Sequence, residues 1–255
     1  MFTTDLAGMT DTGTRRKENQ DSFLISSDKR LIAVADGLSR SADCNLGAEV
    51  SRLAVETLES FWNTSQPDLT DDSAVKDWLD RSVQEANKVI CNFVDKNGGT
   101  AAGATTILAA VQTNHNKVHI AHVGDSRAYA MKDGVLRALT EDHTFMNHMK
   151  HTSPEFYEKV TTQKIHACYT PDLMRVLGWE NQIVVDLTEV ELVDNDVLLL
   201  CSDGLYDLVS DQSIRRILSA CTTADGACKE LLSEAIESGG YDNVTVVVQR
   251  KRLAL

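Results

Sequence analysis

Proline is scarce in this chain. Residues 67, 154 and 171 are its only prolines, and no internal repeat or low-complexity linker divides the 255 residues. With 42% hydrophobic residues there is ample material for a buried core, so one domain over residues 1–255 is expected. No window approaches the roughly 18 uninterrupted apolar residues of a membrane span. The start, MFTTDLAGMTDTG, also lacks the basic-then-apolar order of a leader, so no membrane association is expected. The cysteines, at 44, 91, 168, 201, 221 and 228, contain no C-x-x-C pair, and they read as reduced thiols of a cytoplasmic protein. Basic residues are few: 25 Lys and Arg against 38 Asp and Glu leave a net charge of -13. That balance excludes a protein that grips a phosphate backbone by counterion release, so nucleic acid is not an expected partner.

Strand-like runs are present at 22–25, 31–36, 104–112, 117–125, 127–134, 182–192, 197–203 and 243–249, rich in β-branched residues and flanked by turns. Amphipathic stretches at about 46–62, 73–95, 211–220 and 224–237 predict helices, and 143–180 reads as irregular. The regular alternation of strand and helix that builds a parallel sheet is missing. An α+β sandwich of antiparallel sheets covered by helices is therefore expected.

The acids carry the chemistry. Asp133-Gly134, between RAYAMK and VLRAL, reads as a plain hairpin turn, and Asp225-Gly226, before a helical stretch, as an ordinary turn. Asp36 and Asp203 differ, because each ends an apolar run, LIAVA and VLLLCS, of the type buried inside a sheet. A carboxylate at the lip of a buried strand costs several kcal/mol unless it is paired or holds a metal. Asp125 ends HIAHVG, Asp242 precedes NVTVVV and Asp21 opens a strand in ENQDSFLI. No matching set of basic residues accompanies them. If these acids converge, hard cations such as Mg²⁺ or Mn²⁺ relieve their repulsion; otherwise they are separate turn residues.

Seven motifs, RRKENQD (15–21), VADG (34–37), GATTILAAV (103–111), HVGDSRAY (122–129), LTEDHT (139–144), LLLCSDGLYD (198–207) and GGYDNVTVVV (239–248), resemble in order and spacing those of the PP2C-type metal-dependent protein serine/threonine phosphatases, above all the compact bacterial members. The resemblance implies an αββα sandwich with two Mn²⁺ or Mg²⁺ ions between the sheets. Asp36 would bridge both ions and Gly37 would offer its carbonyl to one. Asp203 and Asp242 would hold one ion, with Asp21 reaching it or its waters. Arg16 would bind the phosphoryl group of the substrate as a planar, bidentate donor, whereas Arg15 would be a solvated surface charge. Asp125 and Asp207 would form a third, weaker metal position beside Asp203. On the residues alone, Asp207 reads equally as a helix-start acid and Asp125 as a turn residue. The implied nucleophile is a metal-bridging hydroxide attacking phosphorus in line. No cysteine sits in a Cys-x5-Arg loop, so no thiol nucleophile is needed. The implied partners are phosphorylated proteins and a cognate serine/threonine kinase, with the chain acting as a monomer.

The chain departs from the family after Gly37, where a glycine-rich loop with a histidine is usual and LSRSADCNLGAEVS stands instead. Leu38 occupies the place of a His thought to act as general acid in animal relatives, so leaving-group protonation falls to another group. Residues 145–180 correspond to the family's variable flap and are unlike the usual one. His119 and His122 are three apart on a strand, so they face opposite sides and cannot share a metal. His143, His148 and His151 read as solvent-facing or locally bonded rather than as a zinc site. Two other readings keep the same motifs: a catalytically silent phosphoprotein-binding module, and a hydrolase of small phosphoesters.

Overall fold

A computed structural model describes residues 2–40, 45–162 and 173–253. Two antiparallel sheets face each other. The first is built from β1 (Phe2–Asp11), β11 (Val244–Leu253), β10 (Val197–Cys201), β7 (Arg127–Lys132) and β8 (Val135–Ala138), in that spatial order. The second runs β2 (Asp21–Ile25), β3 (Leu31–Leu38), β5 (Ile107–Gln112), β6 (Lys117–Val123) and β9 (Asp186–Glu191), with the short β4 (Ala104–Thr105) paired to β3. Helices α1 (Gly47–Thr64) and α2 (Asp72–Lys96) cover the second sheet, while α6 (Asp211–Ala220) and α7 (Ala224–Glu237) cover the first. This is the expected αββα order.

The period-2 alternation of the strands sorts their side chains between layers. In β3, Leu31, Ala33 and Ala35 pack under α1 and α2, while Ile32 and Val34 meet Leu108, Ile120, Leu198, Leu200 and Val247 between the sheets. The central strands β3, β5, β6 and β10 are buried on both faces, which is why the sequence shows continuous apolar runs there. Under the helices Trp62 stands edge-on to Trp78, with ring centroids 5.2 Å apart. Such a pair adds about 1 kcal/mol beyond area burial. The Asp133-Gly134 turn closes the β7–β8 hairpin with both residues at positive φ, 50° and 74°, as the Asp-Gly reading requires.

Some expectations need correction. The region 143–180 is not irregular throughout: α3 (Phe145–Thr152), capped by the Thr144 hydroxyl, is followed by α4 (Pro154–Thr162). These helices are short and bury only Met146 and Val160, so they leave almost no apolar period to read. The strand expected over 182–192 shortens to β9, a sheet-edge strand that pairs only as far as β6 provides register partners. The ten-residue β1 gave no strand signal, because it is specified by pairing with β11 from Phe2↔Leu253 to Asp11↔Val244. The run 104–112 breaks at Thr106, whose N–H donates to the Asp36 carbonyl and whose hydroxyl accepts from the Asp36 N–H. Cys44 and Cys168, with Ser41 and the 163–172 part of the expected flap, lie outside the described residues.

Candidate active site

The antiparallel order brings the acids to one end of the sandwich. Asp21 and Asp36 are register partners across β2 and β3, so their carboxyls share a face. The end of β10 lies beside the start of β11, which places Asp203, the first residue of α5 (Asp203–Tyr206), next to Asp242. Asp125 follows β6 in the turn made by Gly124 at φ 114°. Asp36, Gly37, Leu38, Asp125, Asp203, Asp242 and Arg16 line a single cavity of about 290 Å³, together with Gln20, Ser39, Arg40, Leu173, Trp179 and Asn243. Asp21 lies beneath it, 7% exposed. Asp207, the C-cap residue of α5, is not among the residues that line the cavity, but it adds its charge to Asp125 and Asp203.

Burial without enough countercharge governs these acids. It pushes Asp21 up to about 6, against a hydrogen bond from Ser202 Oγ at 2.7 Å. Asp125 is pushed up to about 7 by burial and then by the charges of Asp142 and Asp207. Asp36 and Asp203 rise well above the usual carboxylate range, from burial first. Neighbouring carboxylates follow, Asp21 leading for Asp36 and Asp125 for Asp203. Asp207 is raised by burial as well. The charges of Asp21 and Asp203 both act on the Asp36 carboxyl. Oδ1 of Asp21 and Oδ1 of Asp203 are buried with no hydrogen-bond partner.

This hard-oxygen donor set, with orphaned oxygens and almost no basic neighbours, fits Mn²⁺ or Mg²⁺. Among the described residues no three His, Cys, Asp or Glu side chains are grouped closely enough to hold an ion by themselves. What converges is an open, acid-lined cavity, the form suited to ions that keep water ligands. Gly37 is required by space: a Cβ there would come within 2.0 Å of the Gly47 carbonyl and 2.6 Å of the Gln20 carbonyl.

Arg16 reaches the cavity from the loop between β1 and β2 and donates from Nη2 to Asp242 Oδ2 at 2.6 Å. That bond holds the guanidinium above its ordinary pKa against partial burial. Arg15 is exposed, as expected. Sequence reasoning passed over the residues that brace the site. Asn243 donates to the carbonyls of Thr12 and Glu18 and accepts from the Gln20 N–H, tying the Arg16 loop to β11. Ser202 links Asp21 to the Thr245 N–H. Arg127 clamps Asp142 through two bonds, of 2.8 and 2.6 Å, and stacks 3.6 Å over Tyr206, whose hydroxyl donates to the Asp125 carbonyl. Asn243 and Ser202 adjoin motif acids, which was the available signal. Trp179 had none, lying in a stretch without periodicity.

Among the described residues no histidine lines the cavity. His119 contacts Asp72 of α2 at 3.0 Å, on the helix side of the sheet. His122 faces the other way and packs 4.5 Å from His143, and burial drives its pKa down to about 3. His143 accepts from the Gly124 N–H through Nδ1, so it is locally bonded rather than solvent-facing. His151 pairs with Glu141.

A family model for protein phosphatase 2C matches residues 13–237. The chain is 32% identical to the serine/threonine phosphatase stp of Listeria innocua, over 96% of this chain and 94% of that protein. It is also 32% identical to the serine/threonine protein phosphatase PstP of Mycobacterium tuberculosis, over 95% of this chain and 44% of that longer protein. Among solved structures, that phosphatase superposes with a TM-score of 0.82 over 97% of this chain and 98% of the other, at 31% identity. The PstP catalytic domain in complex with 2 manganese ions superposes with a TM-score of 0.80 at 30% identity, over 99% of this chain and 100% of the other. The ordered motifs, the paired antiparallel sheets and the acid-lined cavity at their ends thus have one common explanation: the chain belongs to the protein phosphatase 2C family.

Proposed function

We propose that this chain is a metal-dependent protein serine/threonine phosphatase that hydrolyses phosphoserine and phosphothreonine on proteins, opposing a serine/threonine kinase. The observation that carries the reading is the convergence of Asp36, Asp125, Asp203 and Asp242 with Arg16 in one cavity, above buried Asp21. Asp36, with the Gly37 carbonyl, Asp203, Asp242 and the underlying Asp21, would hold two Mn²⁺ or Mg²⁺ ions, and Asp125 with Asp207 a third, weaker one. Such ions supply an activated water near neutral pH and neutralise phosphoryl oxygens.

The chain's own residues do the rest. Arg16 swings its fork from Asp242 to the phosphoryl oxygens, fixing the phosphorus in line over the acids. Ser202 and Thr106 hold Asp21 and the Asp36 backbone still, so the carboxylates meet developing charge without rearrangement. Leu38, which lines the cavity, cannot donate a proton, so the departing serine or threonine oxygen would take its proton from a water in the cavity.

The test is phosphate release from phosphoserine and phosphothreonine peptides by the metal-free protein, with and without added Mn²⁺. Release is expected only with Mn²⁺, and Asp36→Asn is expected to abolish it. Peptide binding without release would instead identify a silent binding module. Faster turnover of nucleotides than of phosphopeptides would identify a small-phosphoester hydrolase.

A further inference from the structure

Arg40 and Trp179 form one wall of the cavity. The Arg40 guanidinium carbon lies 4.1 Å from the centroid of the Trp179 ring, a distance at which the cation is held against the aromatic face. Stacking uses the flat face of a guanidinium and leaves its N–H donors pointing outward in the plane, where they match a carboxylate's two oxygens. Among the described residues no carboxylate pairs with Arg40, unlike Arg16, which already bonds Asp242.

The wall is built, not incidental. The backbone N–H of Arg40 donates to the Ala101 carbonyl at 2.9 Å. Trp179 is bracketed by Asn87, a fully buried residue of α2. The Asn87 side chain accepts from the Gly178 N–H at 2.9 Å and donates to the Glu180 carbonyl at 2.7 Å. Leu177 is bridged to Thr105, which is paired in turn with Gly37. The ring is thus fixed by backbone bonds to the strand that carries Asp36.

We infer that Arg40, held against the face of Trp179, reads an acidic residue flanking the phosphorylated serine or threonine of the substrate. This rests on the phosphoprotein phosphatase reading and names its specificity. The cavity floor is aspartate, and of the two guanidiniums that line the cavity Arg16 is already bonded to Asp242, so Arg40 is the one placed to attract a flanking carboxylate. Trp179 also lines an adjoining groove with Met174, Val176 and Ile183, on which Glu180 and Arg175, the latter paired with Asp186, also stand, so a peptide leaving the cavity on this side passes the Arg40 edge.

The experiment compares kcat/KM, with Mn²⁺ present, for matched phosphopeptides carrying Glu or Gln at each position flanking the phosphoresidue. The parent protein is expected to favour Glu at one position by roughly tenfold, the size of one charge-assisted pair at a partly exposed rim. Arg40→Ala is expected to bring that ratio to about one by lowering only the Glu peptide. Arg40→Lys, a point charge without the fork, is expected to keep part of it. Trp179→Leu, which leaves the charge but removes its platform, is expected to reduce the ratio. Equal rates on Glu and Gln peptides in the parent overturn the assignment and leave the phosphatase reading intact. An equal loss on both peptides in Arg40→Ala also overturns it, because Arg40 would then grip the scissile phosphate. Phosphate release from neither peptide by the parent overturns both readings together.

Discussion

Replacing Asp125 by asparagine in the metal-free protein exchanges a buried carboxyl for a neutral amide of the same shape, and its effect on stability depends on pH in a direction the structure fixes. Asp125 is 5% exposed and its pKa is pushed from 3.8 up to about 7, by burial and then by Asp142 and Asp207. A carboxyl whose folded-state pKa is raised binds its proton more tightly in the folded than in the unfolded chain. Below the unfolded value both states are protonated and nothing is lost. As pH rises from there toward 7 the penalty grows, and above 7 it is fully present. The interval from 3.8 to about 7, at about 1.4 kcal/mol per pH unit, sets a ceiling of about 4 kcal/mol. Part of the gain is cancelled by the amide's own need for partners, and part is added because Asp36 and Asp203 lose a repelling neighbour. Urea unfolding followed by circular dichroism, in EDTA, should show Asp125→Asn indistinguishable from the parent near pH 4 and more stable by about 2–4 kcal/mol near pH 8. A gain of the same size at both pH values, or no gain near pH 8, would refute a penalty due to the buried charge.

Stripping the parent protein with EDTA at neutral pH should lower its melting temperature, and Mn²⁺ at about 100 times its Kd should restore about 2.7 kcal/mol; an unmoved transition would count against a carboxylate-built metal site. Arg16→Ala should raise KM and lower kcat for phosphopeptides while leaving Mn²⁺ affinity, read by calorimetry, no weaker, since it frees Asp242 from its 2.6 Å partner. Unaltered phosphopeptide kinetics would remove Arg16 from the site. Leu108→Ala, opening a hole in the fully buried layer between the sheets, should cost about 2–5 kcal/mol in urea unfolding. A loss under about 1 kcal/mol would mean that this layer is not close-packed.

The sequence by itself determined the layers and the acids. Runs such as LIAVA and VLLLC are buried on both faces, so their composition alone announces strands of an inner layer, and the acids that end them stand out because few residues are costlier at that depth. Gly37, beside Asp36, and Arg16, five residues before Asp21, stood out because they share ordered motifs with those acids. The Asp133-Gly134 turn was legible because only a few residue types accept positive φ at both positions.

Other features were decided by tertiary structure. β1 exists because β11 offers it ten register partners, and no local propensity in FTTDLAGMTD announces that. Thr106, Ser202 and Asn243 act through hydrogen bonds to residues 43 to 231 positions away, and chain spacing carries no record of such contacts. Arg40 and Trp179 lie far apart in the chain, and a cation meets an aromatic face only once α2, through Asn87, has fixed where Trp179 stands. Periodicity and turn chemistry are local and survive in a linear string, whereas the convergence of five acids on one cavity depends on which strand ends the sheet order brings together.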